Sequence, residues 1–251
     1  MPESLLDKPT VYGTRAKIGV IVPSTNTANE AEWHRLLPAG VTLHASRMPL
    51  HTDTSSDTGR AALYRDLEHY AAQLALAGVD MIAYSCTAGS LVSPVTALAE
   101  LITHHTGITA VTTAQAIVHA LHTLNVKKLA IATPYHDALN AHEQGFFEDI
   151  GFEVVKIMGL GYGENGPAEF RNIARIEANA VSSLVSAVDR PDADAILISC
   201  TDLATLAVID TLEAELGKPV ISSNSATLWA SLRAAGIDDS IVPGGTLLRD
   251  Y

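Results

Sequence analysis

The chain has 251 residues, is 47% apolar and 18% charged, and carries a formal net charge of −12. That composition suits a folded protein with a sizeable core and argues against a nucleic-acid backbone partner, which requires a basic surface. No apolar run in the sequence reaches the ~20 residues that a bilayer span needs, and residues 1–9 lack the basic-then-apolar pattern of a secretory leader, so a cytoplasmic location is expected.

In chain order, strand-like runs are predicted at 17–22, 41–45, 81–85, 109–112, 128–133, 153–158, 195–199 and 219–222. Between them lie helix-like patterns at 30–37, 61–77, 92–103, 114–124, 139–150, 176–188 and 203–216. Gly78, Gly107, Gly151 and Gly217 stand where helix stop signals are wanted. Strand and helix alternate, which predicts parallel sheets joined by right-handed crossovers.

The pattern occurs twice. Asp80-Met-Ile-Ala-Tyr-Ser-Cys86-Thr87 matches Asp194-Ala-Ile-Leu-Ile-Ser-Cys200-Thr201, and the two cysteines, the only ones in the chain, are 114 residues apart. Pro23 and Pro134 each close a strand and are 111 apart, while Thr113 and Ser223 are 110 apart. Three landmarks in one order at nearly one offset predict an internal duplication. The expected fold is α/β, with two similar domains, each a parallel sheet flanked by helices, related by a pseudo-two-fold axis. The first repeat is placed at 1–118, completed by 226–251, and the second at 119–225.

Both cysteines fall at the carboxyl end of a strand, where open α/β sheets hold their ligands. A lone free cysteine is usually a small buried hydrophobe. Two at equivalent strand ends predict instead a thiol on each side of a substrate, each followed by helix-opening backbone that holds an anion and favours thiolate. In Val22-Pro-Ser-Thr-Asn-Thr27 the polar side chains either cap the next helix or bind a carboxylate; capping alone would explain Thr25 or Thr27, whereas Asn26, if it points into the cleft, is harder to explain that way. Tyr135 either packs at the sheet edge or donates its hydroxyl to a substrate oxygen. The polar loop 51–59 and the glycine-rich loop 159–166 are either covers over a cleft or plain surface loops. Ten histidines show no partner at metal-ligand spacing, so no metal is expected. Without a glycine-rich phosphate loop after a strand, no nucleotide cofactor is expected.

The segments Ile18-Gly-Val-Ile-Val-Pro-Ser-Thr-Asn26, His44-Ala-Ser-Arg-Met48, Tyr84-Ser-Cys-Thr87, Ala132-Thr-Pro-Tyr135, Ile198-Ser-Cys-Thr201 and Pro219-Val-Ile-Ser-Ser223 resemble the aspartate/glutamate racemase superfamily. Within it they are most similar to the branch holding maleate cis–trans isomerases and arylmalonate decarboxylases. The resemblance implies a cofactor-independent enzyme with its site between two α/β domains. It implies maleate-to-fumarate isomerisation, with Cys86 as nucleophile and Cys200 as the proton-transferring thiol. Asn26, Thr87, Tyr135, Thr201 and Asn165 are the expected substrate contacts. A two-cysteine racemase or epimerase and an arylmalonate-type decarboxylase are the alternatives, the latter disfavoured because those enzymes typically carry glycine where Cys86 stands. A carboxylate-binding protein without turnover would have no use for two opposed thiols. The partner is thus a small carboxylate or dicarboxylate, and a homo-oligomer is left open. The residues after each cysteine, Thr87-Ala-Gly-Ser90 and Thr201-Asp-Leu203, depart from the more apolar isomerase pattern and bear on the choice of substrate.

Overall fold

The computed structural model describes residues 10–54 and 56–251; the segment 1–9 read for a leader, and Ser55 of the polar loop, lie outside the described residues. Eight strands form two four-stranded sheets, all pairs parallel. The first comprises β1 (Ala16–Pro23), β2 (Val41–Met48), β3 (Met81–Tyr84) and β4 (Ala110–Thr112), in the order β2-β1-β3-β4. The second comprises β5 (Lys128–Tyr135), β6 (Glu153–Tyr162), β7 (Ala195–Ile198) and β8 (Val220–Ser222), in the matching order β6-β5-β7-β8. The identical order in both halves is the duplication seen in three dimensions. β3 and β7 are buried along their whole length, as expected of inner strands covered by helices on both faces.

The helices are α1 (Asn29–Leu36), α2 (Asp57–Leu76), α3 (Thr87–Ser90), α4 (Ala97–Thr106), α5 (Thr113–Thr123), α6 (Asp137–Asp149), α7 (Ala178–Val188), α8 (Ile209–Leu216), α9 (Ser223–Ala234) and α10 (Gly245–Asp250). A 3₁₀ helix spans Pro167–Arg175. Both short fourth strands run straight into a helix whose N-cap is the last strand residue. Thr112 accepts the Gln115 N–H, and Ser222 forms a capping box with Ser225.

α5 and α9 pack on each other and share one apolar cluster with β1 and β5, including Ile18, Val20, Ile117, Leu129, Ile131 and Leu228. This common core joins the halves. Separate clusters fill the outer side of each sheet, around Leu63, Leu67 and Ile102 in the first half and Val181, Val185 and Ile196 in the second. Each such side chain contributes about 1.5–3 kcal/mol by burial. The C-terminal tail serves both halves: α9 lies against β3 and β4, whereas α10 lies on α8 and β8. There Asp210 and Glu213 accept the N–H groups of Gly245 and Thr246, each at 2.8 Å.

Two predicted helices are shorter than their sequence pattern. The 92–103 run becomes helical only at Ala97, because the Pro94 ring disfavours helical backbone at the preceding residue, Ser93. The 203–216 run becomes helical only at Ile209. Its earlier N–H groups, on Thr205 and Leu206, are drawn to Glu32 Oε1 at 2.5 and 2.7 Å. No helix among the described residues is long and apolar enough to cross a membrane.

Candidate active site

Each sheet has one place where consecutive connections leave in opposite directions, between β1 and β3 and between β5 and β7. Those switch points open a crevice at the carboxyl ends of the strands. Asn26 follows β1, Cys86 and Thr87 follow β3, Tyr135 ends β5, and Cys200 and Thr201 follow β7. All six line a single cavity of about 520 Å³ between the halves.

Both thiols are unpaired and buried. Cys86 is the N-cap of α3, and its Sγ accepts the Gly89 N–H at 3.4 Å. Burial pushes the Cys86 thiol up, and the Gly89 N–H and the Tyr84 hydroxyl pull it back by donating to the sulfur. Gly89 permits this arrangement. A Cβ there would fall on the Tyr84 hydroxyl and 3.0 Å from Cys86 Sγ.

Cys200 is held differently. Its backbone is left-handed, with φ +90°. Its N–H donates to Ser223 Oγ at 3.1 Å, and its Sγ accepts the Asp202 N–H at 3.4 Å. Burial pushes its thiol up to about 12; the Tyr135 hydroxyl opposes the rise and the Asp202 carboxylate adds to it. Burial likewise holds Tyr135 well above the usual tyrosine range, with Cys200 and Glu143 adding to the rise. Tyr135 is therefore a neutral donor over a wide pH range.

The loops around the thiols brace one another. Asn26 Oδ1 accepts the Ala28 and Asn29 N–H groups at 3.1 and 3.0 Å, which leaves its amide nitrogen as the free end. That Nδ2 donates to Thr201 Oγ1 at 3.1 Å, and Thr201 Oγ1 donates to the Ser85 carbonyl at 3.1 Å. Thr87 Oγ1 donates to Ser223 Oγ at 2.8 Å. Asn26 thus both caps a turn and reaches the site. Arg47 lies behind this loop, donating to the Asn26 carbonyl at 2.7 Å and pairing with Glu30.

Asn165 is not brought to this group. It is exposed and outside the cavity lining, and its Nδ2 donates to Glu169 Oε1 at 2.9 Å. Its neighbour Gly163 lines the cavity, as do His51, Thr52 and Thr54, so the glycine-rich and polar loops both border the site.

Several lining residues escaped the sequence reading. His51 is held by Asp66, Nε2 to Oδ2 2.9 Å, across a gap of 15 residues. His142 Nε2 lies 3.2 Å from the Leu91 carbonyl, which makes that nitrogen the donor. Asp202 lines the cavity beside Cys200, and its position two residues past the cysteine was the available signal. Behind Tyr135, the fully buried Glu143 accepts the Ser199 hydroxyl at 3.0 Å, and burial pushes its carboxyl up to about 7. No cluster of three or more His, Cys, Asp or Glu suited to a metal occurs among the described residues.

Known proteins resemble this chain in sequence and fold. A maleate isomerase from Pseudomonas putida is 29% identical over 249 residues, covering 92% of this chain and 96% of that protein. An arylmalonate decarboxylase from Bordetella bronchiseptica is 30% identical over 238 residues, covering 93% and 96%. The crystal structure of a variant of the maleate isomerase Iso from Pseudomonas putida S16 with maleate superposes with a TM-score of 0.84 at 26% identity, covering 93% of this chain and 97% of that one. Residues 18–248 match the arylmalonate decarboxylase family. On that span, with the duplicated sheets and paired strand-end residues, the chain belongs to the arylmalonate decarboxylase family.

Proposed function

We propose that this protein is a cofactor-independent isomerase that converts maleate, or a close cis-unsaturated carboxylate, to its trans isomer through a covalent adduct on Cys86. The observation that carries the reading is a pair of buried thiols in one crevice, each with its own donors, beside neutral carboxylate-binding groups. The similarity to maleate isomerases over nearly the whole chain supports it.

The two thiols have unequal surroundings, which separates their roles. Each sulfur accepts a backbone N–H and a tyrosine hydroxyl, which stabilise a thiolate against burial. Cys200 lies beside a carboxylate that disfavours one, so it keeps its proton. Cys86 reacts in its thiolate form, held by the Gly89 N–H and the Tyr84 hydroxyl against the opposing effect of burial, and its sulfur bonds to one alkene carbon. The electron pair moves toward the neighbouring carboxylate, and the other alkene carbon takes the Cys200 proton. The former double bond is now single and rotates. Cys200 thiolate recovers its proton, the double bond re-forms in the trans arrangement, and Cys86 leaves as thiolate. Nothing is gained or lost overall. The second N–H of Asn26 Nδ2, the backbone N–H groups of Thr87 and Thr201, and the Tyr135 hydroxyl supply donors for the carboxylates and the enediolate-like charge.

The test is mass spectrometry with NMR in deuterated water. Cys86→Ser and Cys200→Ser should each lower turnover on the order of 10³–10⁶-fold in a folded protein. Enzyme incubated with maleate should carry a succinyl adduct on Cys86. Near-normal turnover in either variant would refute the two-thiol mechanism. Exchange at a stereocentre without an adduct would identify a racemase, and carbon dioxide release from an arylmalonate a decarboxylase.

A further inference from the structure

Two buried glutamates occupy matching places in the repeat. Glu32 in α1 and Glu143 in α6 are 111 residues apart, the spacing of Pro23 and Pro134, and the buried Asn29 and Asn140 keep the same interval. Their surroundings differ. Glu32 accepts the Thr205 and Leu206 N–H groups, the Asn224 amide and the Thr205 hydroxyl, so both of its oxygens are met by donors. Glu143 has no exposed surface; its Oε2 accepts the Ser199 hydroxyl at 3.0 Å, and its Oε1 has no partner among the described residues. A buried carboxylate is tolerated where donors saturate it, whereas with a single donor the neutral acid is the less costly form.

Glu143 thus does not brace the fold as Glu32 does, and it stands close to the chemistry. Its donor Ser199 precedes Cys200, and its charge bears on Tyr135 at the end of β5. The elements packed on α6 bring no cation to it. On β6, Glu153 is exposed and pairs with Lys128, and Tyr162 is in register with Tyr135. Lys156 is in register with Ala130, which belongs to the outer cluster of Val181 and Val185, whereas Phe146 and Phe147 of α6 belong to the shared core. On α6 itself, His142 turns to the Leu91 carbonyl, and His136, at the N-cap, bears on Glu169. Burial pushes the Glu143 carboxyl up to about 7, and the Ser199 hydroxyl opposes the rise. Ionised, Glu143 sets a negative charge behind Tyr135 as enediolate charge develops on the substrate, which raises the barrier; neutral, it leaves the hydroxyl to meet that charge.

Resting on the isomerase reading above, we propose that Glu143 is a positioning residue that works in its neutral form, holding a proton behind Tyr135 so that the phenol can stabilise the charge developing on the substrate. Loss of that proton slows turnover. The repeat has thereby put one glutamate to joining the halves and its counterpart to setting the electrostatics of the site.

The experiment follows the proton and the rate together. Infrared titration of the wild type should show a carboxylic-acid C=O band that fades with a midpoint at about pH 7 and is missing from Glu143→Gln. With maleate, the kcat ratio of Glu143→Gln to wild type should be near one at pH ~5.5 and climb to about tenfold or more by pH ~8.5, the rate equivalent of a modest charge–charge interaction in a buried site. The ratio cancels the titration of Cys86, which both proteins share. A merely structural role would change kcat by one factor at every pH. Ser199→Ala removes the donor that favours the carboxylate, so its band should fade at higher pH and its kcat should gain on the wild type as pH rises through about 7. A level ratio in folded Glu143→Gln, or no acid band in the wild type at the acid end, overturns the inference and leaves isomerisation intact. Ser199→Ala without its gain overturns it as well, even if Glu143→Gln does not fold. A wild type that isomerises no maleate at any pH refutes the isomerase reading and the role with it, while the infrared band still reports whether the carboxyl is neutral.

Discussion

Cys200 adopts φ +90°, a region that a side chain with a Cβ occupies only at a cost of about 1–3 kcal/mol. Cys86, its counterpart in the first half, sits at φ −150° in ordinary extended backbone. The halves therefore place equivalent thiols by unequal means, and the strain lies on the thiol assigned to proton transfer. Replacing each by glycine tests this. Both changes remove a similar buried side chain, but only Cys200→Gly also relieves strain. Cys200→Gly should unfold at a higher urea midpoint than Cys86→Gly, by about 1 kcal/mol in stability, while both lose turnover. Equal destabilisation would show that the left-handed backbone is unstrained. The strand-end placement of the thiols, Asn26, Thr87, Tyr135 and Thr201 around one crevice was legible in the sequence through the duplication. The charge environment was not. Asp66 reaches His51 through the turn of a helix, and Glu143 lies behind Tyr135 only once α6 packs on the second sheet.

Parallel strands announce themselves through short apolar runs between turn signals, which is why all eight were legible. Helix starts were less so, because they depend on where a backbone N–H finds its acceptor. Thr205 and Leu206 find Glu32, 173 and 174 residues away, and no local pattern encodes that. α6 shows what such long-range packing does to a titrating group. Its Glu143 is wholly buried, one carboxylate oxygen lacks a partner among the described residues, and its carboxyl is pushed from 4.5 up to about 7. The folded protein thus keeps a proton there that the unfolded chain releases above pH ~4.5. That contribution is fully present below pH ~4.5 and is lost as pH rises through about 7. The sign is opposite to that of a salt-bridged carboxylate. Over the whole window the change is about 3 kcal/mol. Glu143→Gln, which cannot ionise but still accepts from Ser199, should remove this slope. Urea unfolding between pH 4.5 and 8 should show the variant gaining on the wild type as pH rises. Parallel stability curves would mean that Glu143 stays ionised in the fold.

At the scale of the whole molecule, the crevice needs its two halves fixed at one edge. Glu32 of α1 is buried and bonded entirely to the second half of the chain. Its Oε1 accepts the Thr205 and Leu206 N–H groups, and its Oε2 accepts Asn224 Nδ2 at 2.7 Å. Asn224 in turn accepts from Asn29 at 2.8 Å, and its carbonyl accepts the Trp33 indole N–H at 3.1 Å. Asn29 of this network also donates, at 2.9 Å, to Oγ of Ser85, the residue before Cys86. Neighbouring contacts of the same kind, Asn26 to Thr201 and Asp202 to Thr27, tie the site itself into the seam. Glu32→Ala would strand two backbone donors, one amide and the Thr205 hydroxyl, a loss of about 3–5 kcal/mol. Glu32→Gln keeps one acceptor oxygen and should lose less. Loosening the seam should also expose the thiols, which are 6% and 7% exposed as folded. An aromatic disulfide reagent should therefore label both cysteines of Glu32→Ala at least about tenfold faster than wild type under native conditions, with Glu32→Gln between them. Faster labelling of one cysteine alone would point to local opening of that loop. A variant that loses stability but labels at the wild-type rate would show that the shared apolar core of α5 and α9, and not the Glu32 network, holds the halves together.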